Sequence, residues 1–364
     1  MERAAACAAR ASCSGQTPGA QARSHRWGAK QRGTSDRNVG SVVTDAGERQ
    51  PPKGVKPHLY FGDAWREYPK HRWYVGTAWH YTSVEGCYGI VSNHELWATA
   101  HSMLNDAGEM SFGASRIIEF AEKWTPGRES DPRAEALLRS AIDELEQTMT
   151  ENPLFVLSAS KSPELLNQWA NYGDSTGCAI AIDTMSLLVP EGQAAKPSPS
   201  STLPLWLDVV YDPEEQDAHI GSVLDELVKP ERLLSEAIVH QMEPESLVEQ
   251  NLSMLIAALK HPGFRAEDEV RLVARPRPTT SIWYRPTPRG IVPYVRFFGT
   301  ESGEDGGFQI SSDPSSKLPL PIKEVRVGPP QGDSETRRVS SMREFLRAHG
   351  YNIDVGGAGI PYLP

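Results

Sequence analysis

An α+β fold, built on a mixed, largely antiparallel sheet with flanking helices, is what this sequence predicts. Three observations predict it. Apolar runs of strand length recur from Trp73 to Val355. Amphipathic stretches with apolar residues at helical spacing lie between them. The two kinds of segment are interspersed without the regular strand–helix–strand alternation that a parallel sheet requires.

Taken in order, Trp73–Trp79 reads as a strand leading to His80. Thr82-Ser83-Val84-Glu85 reads as a capping box, with the Thr82 hydroxyl and the Glu85 carboxylate satisfying the first amides of a short helix to about Ser92. A strand follows at Glu95–Thr99, then helices over 108–124 and 133–150. In the second helix Leu137, Leu138, Ala141, Ile142, Leu145 and Met149 fall on one face. Leu154–Ser158 is the next strand. Ser162-Pro163-Glu164 has the cap, first-turn proline and acid of a helix start. That helix carries Leu165, Leu166, Trp169 and Tyr172 and stops at Gly173. Further strands are expected at Cys178–Asp183 and Leu205–Tyr211, on either side of a Pro/Ser-rich loop at 190–204. Residues 214–260 form a helical insert. Strands return at Val270–Ala274, Ile291–Phe298 and Ile322–Val327, followed by a helix at 335–348 and a terminal strand at Ile353–Val355.

Composition narrows the class. Apolar residues make up 39% of 364 and charged residues 23%, which suits a globular chain. Residues 1–56 carry ten Lys/Arg against four Asp/Glu, net +6, so 57–364 carry −16 of the total −10. The first segment lacks apolar periodicity and is expected to be a disordered basic tail. Without a continuous apolar stretch it is not expected to be a secretory signal, and a plain tail is preferred to a transit peptide. Residues 57–364 are expected to be a single domain, too acidic for nonspecific nucleic-acid binding. The four cysteines form no CxxC pair, so neither a zinc site nor a disulfide framework is read, and a reducing cytoplasm fits best. No run is long enough to span a membrane.

Several short motifs stand out: His80-Tyr81-Thr82-Ser83, Leu96-Trp97-Ala98-Thr99, Leu104-Asn105-Asp106-x-x-Glu109 and Ser158-x-Ser160. Gln168-Trp169-x-x-Tyr172-Gly173 with Gly177, Glu267-x-Glu269-x-Arg271 and Ile360-Pro361-Tyr362 follow. In this order they resemble the bacterial family called domain of unknown function 2971. The layout is also similar to ADP-ribosyltransferase-like folds. Those open with a strand ending in His, with Thr or Ser near a helix start, and close with a catalytic Glu on a late strand.

The second resemblance implies NAD as substrate and gives the motifs roles. His80, Tyr81 and Thr82 would position ribose at the floor of a pocket, His80 as a neutral imidazole; a core histidine and a plain helix cap are the other readings of His80 and Thr82. Asn105, Asp106 and Glu109 either cap and turn the chain or contact the ligand. Ser158 would line the pocket with Ser160. Trp169 and Tyr172 either pack in the core or offer a ring to nicotinamide. Glu267, Glu269 and Arg271 alternate on one strand face. Two adjacent carboxylates would push one pKa up, and Arg271 would moderate that or bind phosphate.

The leading expectation is therefore an NAD-using ADP-ribosyltransferase-like transferase or glycohydrolase. Glu269 or Glu267 would stabilise an oxocarbenium-like state, and the acceptor would be protein, nucleic acid or water. Glu269→Gln is expected to leave folding intact. The alternatives are a metal-dependent hydrolase using His80, Asp106, Glu109 and the strand carboxylates, and a non-enzymatic nucleotide-sensing module in a toxin or phage-defence setting. No metal site is assigned from the leading reading.

Overall fold

The computed structural model describes residues 71–360, apart from 105–107, 174–175, 192–205, 231, 234–236, 238–242, 276–279, 303–307, 310–316 and 329–334. These residues lie within one compact unit, Lys56–Pro364. The expected basic tail at 1–56, most of the Pro/Ser-rich loop, and Asn105 and Asp106 fall outside them.

The fold is mixed α+β around an open, mostly antiparallel sheet. The first half contributes β1 (Thr77–Thr82), α1 (Val84–Asn93), β2 (Glu95–Ala100), α2 (Glu109–Ala121), α3 (Pro132–Asp143), α4 (Leu145–Glu151) and β3 (Phe155–Ser160). One helical turn at Leu166–Gln168 runs into a π-helical turn at Trp169–Gly173. Then come β4 (Cys178–Asp183), β5 (Leu188–Pro190), β6 (Trp206–Asp208), α5 (Pro213–Leu227) and α6 (Pro244–Ala258). A 3-10 turn at Pro262–Glu267 leads into β7 (Glu269–Ala274), β8 (Trp283–Thr287) and β9 (Gly290–Gly299). A small hairpin, β10 (Glu301–Ser302) with β11 (Phe308–Gln309), precedes β12 (Ile322–Val327), α7 (Glu335–Ala348) and β13 (Asp354–Gly357).

Strands run β13-β12-β4-β1-β3-β2-β9-β5 across the main sheet, with β7 on β3, β6 on β7 and β8 on β9. Helices cover both sides. On one, α1 and α7 pack Cys87, Val91 and Leu346 against Ala78, Ala159, Ile180 and Val270. On the other, α2 to α6 pack Ile117, Leu138, Ile220 and Leu252 over Val156 and Leu207. A smaller cluster on that second side joins Trp79, Tyr81 and Ala181 to Trp169.

Strand β3 is where the sheet divides. Along one edge it pairs with β7 over its whole length, from Phe155↔Ala274 to Ser160↔Glu269. Its other edge is shared. Strand β1 meets it at Ser160 through Trp79, and β2 meets it at Phe155 and Val156 through Ala100 and Thr99. Between those contacts a seam opens alongside Leu157–Ala159.

Three local expectations are corrected. The first strand is Thr77–Thr82, and the strand pairing at Trp73 is an isolated bridge to Leu207. The cap of α1 is Ser83, whose hydroxyl accepts from the Gly86 amide, while Thr82 ends β1. The segment Ser162–Leu165 is not helical. Tyr81 Oη donates to the Ser162 carbonyl at 2.8 Å, and Trp169 Nε1 donates to the Pro163 carbonyl at 2.9 Å. Those bonds claim carbonyls that a helix would use.

Gly177 joins three elements. A Cβ there would lie 1.8 Å from the Gly173 carbonyl oxygen and 2.5 Å from that of Thr82, and its own carbonyl accepts from the Gly328 amide at 2.8 Å. Both clashes are with backbone, so no side chain can yield. Gly177→Ala is expected to cost about 3 kcal/mol of stability, read as a lower denaturation midpoint in urea. A midpoint equal to wild type would show that the three backbones part easily.

Candidate functional site

Two clusters of chemistry-bearing side chains flank β3. The first is a buried ion network. Arg271 has no exposed surface and Lys260 is 2% exposed, so both need charge partners. Arg271 grips Glu269 two-fold, Nε to Oε1 at 2.9 Å and Nη2 to Oε2 at 2.8 Å. It also reaches Glu109 Oε2 at 2.5 Å and donates Nη1 to the Ala257 carbonyl at 3.0 Å. Lys260 Nζ holds Glu267 at 2.6 Å, Glu269 at 2.8 Å and Glu109 at 2.9 Å. Three carboxylates thus face two cations.

Local chain geometry delivers these groups. Glu109 opens α2, and Lys260 follows α6 with its amide bonded to the Val210 carbonyl. Asp268, in the left-handed region at φ 42°, turns the 3-10 segment into β7. Glu267 therefore sits before the strand, and the expected alternation on one strand face holds for Glu269 and Arg271 only. The Glu269 amide is capped by Tyr211 Oη at 3.0 Å.

The charges divide the carboxylates. Burial alone pushes Glu269 up, but Arg271 and then Lys260 overcome it and hold the group at about 2. Glu267 is raised above its ordinary value, by burial first and then by Glu269 and Glu109, against the pull of Lys260. Burial pulls Lys260 down, yet the carboxylates leave it above its usual range.

The second cluster lines the seam. His80 is half-buried, and its Nδ1 lies 2.9 Å from the Ser158 carbonyl, a group that neither β1 nor β2 pairs on that edge. The imidazole fills the place of a missing ladder bond. Burial lowers its pKa, the Ser158 bond opposes this, and nearby Arg285 lowers it further. The ring is therefore neutral near pH 7, with the proton on Nδ1 and Nε2 left as an acceptor. Arg285, on β8, donates Nη2 to Thr99 Oγ1 at 3.1 Å. Its guanidinium lies 5.3 Å from the Trp97 ring centre and 5.8 Å from that of Tyr294.

The two clusters stand one register step apart. Trp79, Ser160 and Glu269 are direct cross-strand partners and share a face. His80, next along, turns the other way and into the seam. The structure thus brings Glu267, Glu269, Arg271 and Glu109 together and sets His80 apart from them. Ser158 lies at the level of Arg271 in β3 and gives His80 its backbone carbonyl.

Tyr81 is buried, bonded to Ser162 and Leu165 and edge-on to Trp169 at 5.0 Å. Trp169 is 1% exposed and belongs to the core, whereas Tyr172 is 37% exposed. A π-helical turn separates the two rings. The Thr82 hydroxyl lies where a Cβ on Gly86 would be, 2.0 Å away. Asn105 and Asp106 lie outside the described residues. Among those described, no group of three or more His, Cys, Asp or Glu side chains is arranged to hold a metal ion.

Lys260 and Arg285 were missed by sequence reasoning. A signal for Arg285 existed: Val270–Thr300 holds six arginines and no acid, inside an otherwise acidic chain.

Fold and sites together define an α+β protein with an open antiparallel sheet, a split at β3, and a closed ion network beside it. Residues 168–272 match the family described as "Protein of unknown function (DUF2971)". The matched span carries Lys260, Glu267, Glu269 and Arg271, and leaves His80, Glu109 and Arg285 outside it. No curated protein and no solved structure matches the chain. No helix among the described residues is long and apolar enough to cross a membrane.

The network corrects one expectation. Glu269→Gln removes a charge that two buried cations need, so folding is not spared. It is expected to cost about 3–5 kcal/mol at pH 7. Because the folded pKa lies below the ordinary 4.5, the contribution of Glu269 is complete above about 4.5. It disappears as pH falls toward about 2. Denaturant titrations of both proteins at several pH values check this, and a stability gap that stays constant down to pH 3 refutes it.

Proposed function

We propose that the chain binds NAD at the seam between β1 and β2 and acts on it as an ADP-ribosyltransferase-like transferase or glycohydrolase. The observation that carries the reading is His80. Its Nδ1–H is committed to the Ser158 carbonyl, which fixes the tautomer and aims an acceptor nitrogen away from that bond. A ribose hydroxyl is a suitable donor to it. The order of motifs along the chain supports the same reading by resemblance.

Cleavage of the nicotinamide–ribose bond builds positive charge on the sugar, and a carboxylate must answer it. Glu269 has both oxygens engaged by Arg271 and Lys260. Glu267 keeps Lys260 as its cation and retains 15% side-chain exposure. Glu267 is therefore the carboxylate we assign to chemistry, and Glu269 the one that holds the network.

The same closed state of Glu269 favours a second reading, a nucleotide sensor that binds without turnover. One assay separates the two: NAD binding by calorimetry alongside nicotinamide release, with and without cell extract as acceptor source. His80→Ala is expected to weaken NAD binding roughly tenfold. Glu267→Gln is expected to preserve binding and lower release by about 10²–10³. Binding without any release selects the sensor, and absence of NAD binding by the wild type sinks both readings.

A further inference from the structure

We propose that Arg285 is a phosphate clamp at the seam, taking the pyrophosphate of a nucleotide by guanidinium N–H groups that no described acceptor uses; this deepens the nucleotide reading above and rests on it. The geometry is unusual for a structural arginine. Nη2 donates to Thr99 Oγ1, while Nε is buried and has no partner among the described residues. No carboxylate there forms an ion pair with Arg285. Arg271, Arg275 and Arg296, all in the same basic stretch, each have one, with Glu269, Glu249 and Glu191 respectively.

What holds Arg285 in place is aromatic. Trp97 and Tyr294 stand with ring centres 4.5 Å apart, and the guanidinium lies over both. Such contacts attract the cation through the ring faces and leave the in-plane N–H groups unused. Burial without a carboxylate holds the group below the ordinary arginine pKa. A phosphate matches an open guanidinium edge with two oxygens at once, which a point charge does not do. Neutral His80 adds an acceptor nearby without a second positive charge. The seam therefore offers a cation for phosphate and an acceptor for sugar within one electrostatic neighbourhood.

The experiment is calorimetric titration of the full chain with inorganic pyrophosphate, ADP and, as a carboxylate control, succinate. Wild type is expected to bind pyrophosphate and ADP and to ignore succinate. Arg285→Gln should lose affinity for both phosphates by roughly tenfold or more. Arg289→Gln, at the exposed hairpin turn, should change nothing. The melting temperature of Arg285→Gln should not fall, because no ion pair is broken. If it does fall, Arg285→Lys decides. That variant keeps the charge and loses the fork, so weaker pyrophosphate binding at an unchanged melting temperature supports the clamp. Unchanged affinity in Arg285→Gln or Arg285→Lys overturns it, as does succinate binding as tightly as pyrophosphate, or no phosphate binding by the wild type. Pyrophosphate binding that depends on Arg285 in a protein that does not bind NAD would leave the clamp standing and remove the NAD reading.

Discussion

Arg271 is the side chain on which the arrangement around β3 depends. A guanidinium with no exposed surface is sustained only by fixed acceptors, and here these come from three parts of the chain: Glu109 at the start of α2, the Ala257 carbonyl at the end of α6, and Glu269 on its own strand. Lys260 then ties Glu109 and Glu269 together from the next turn and brings in Glu267. The helical layer is thereby registered on the sheet by charge as well as by apolar packing. Apolar contacts set how much surface is buried; the Arg271 bonds to Glu109 and to the Ala257 carbonyl fix where α2 starts and α6 ends against the sheet.

The split in β3 follows from strand lengths and from one imidazole. Strand β7 occupies one full edge, so β1 and β2 must share the other, and each takes one end. An unpaired carbonyl in the gap would be costly. His80 supplies the missing donor from a side chain, which keeps the seam open where a backbone ladder would close it. A histidine at this place is thus a structural necessity of the split and a chemical opportunity, because its second nitrogen has no part in the sheet.

Much of the fold was legible where one signal dominated. Cys178–Asp183 is an apolar run between glycine and a turn, Ile322–Val327 starts on an apolar residue and alternates from Glu324 on, and Glu335–Ala348 is amphipathic with an acid at its start; all three appear with the expected bounds. Strand β8 was not legible, because Pro286 interrupts it. A proline is tolerated there since β9 is the one strand paired with β8 among the described residues. The sites were less legible than the strands. Glu269 and Arg271 could be placed on one face by alternation, but the step at Asp268 that moves Glu267 off the strand depends on a left-handed residue that composition does not announce. Lys260 adjoins a helix end and was given no role in a site. Its burial comes from three carboxylates that are 7 to 151 positions away in sequence, and only the fold brings them together.

The contrast between the two clusters is itself informative. At the ion network the chain closes every strong charge, with five side chains held at 2.5–2.9 Å. At the seam, a few residues along the same sheet, a buried guanidinium nitrogen has no acceptor among the described residues, and the rest of the group lies over two rings. Closing that site would take one carboxylate near Thr99, and the same chain supplies such partners to Arg271, Arg275 and Arg296. An open cation is a burden on stability, since burial without a partner disfavours the charged form. It becomes favourable when an anion arrives from solution. The closed network accounts for holding the helices in place, and the open cation, on the same face of the sheet but further across it, is the one left for an anion.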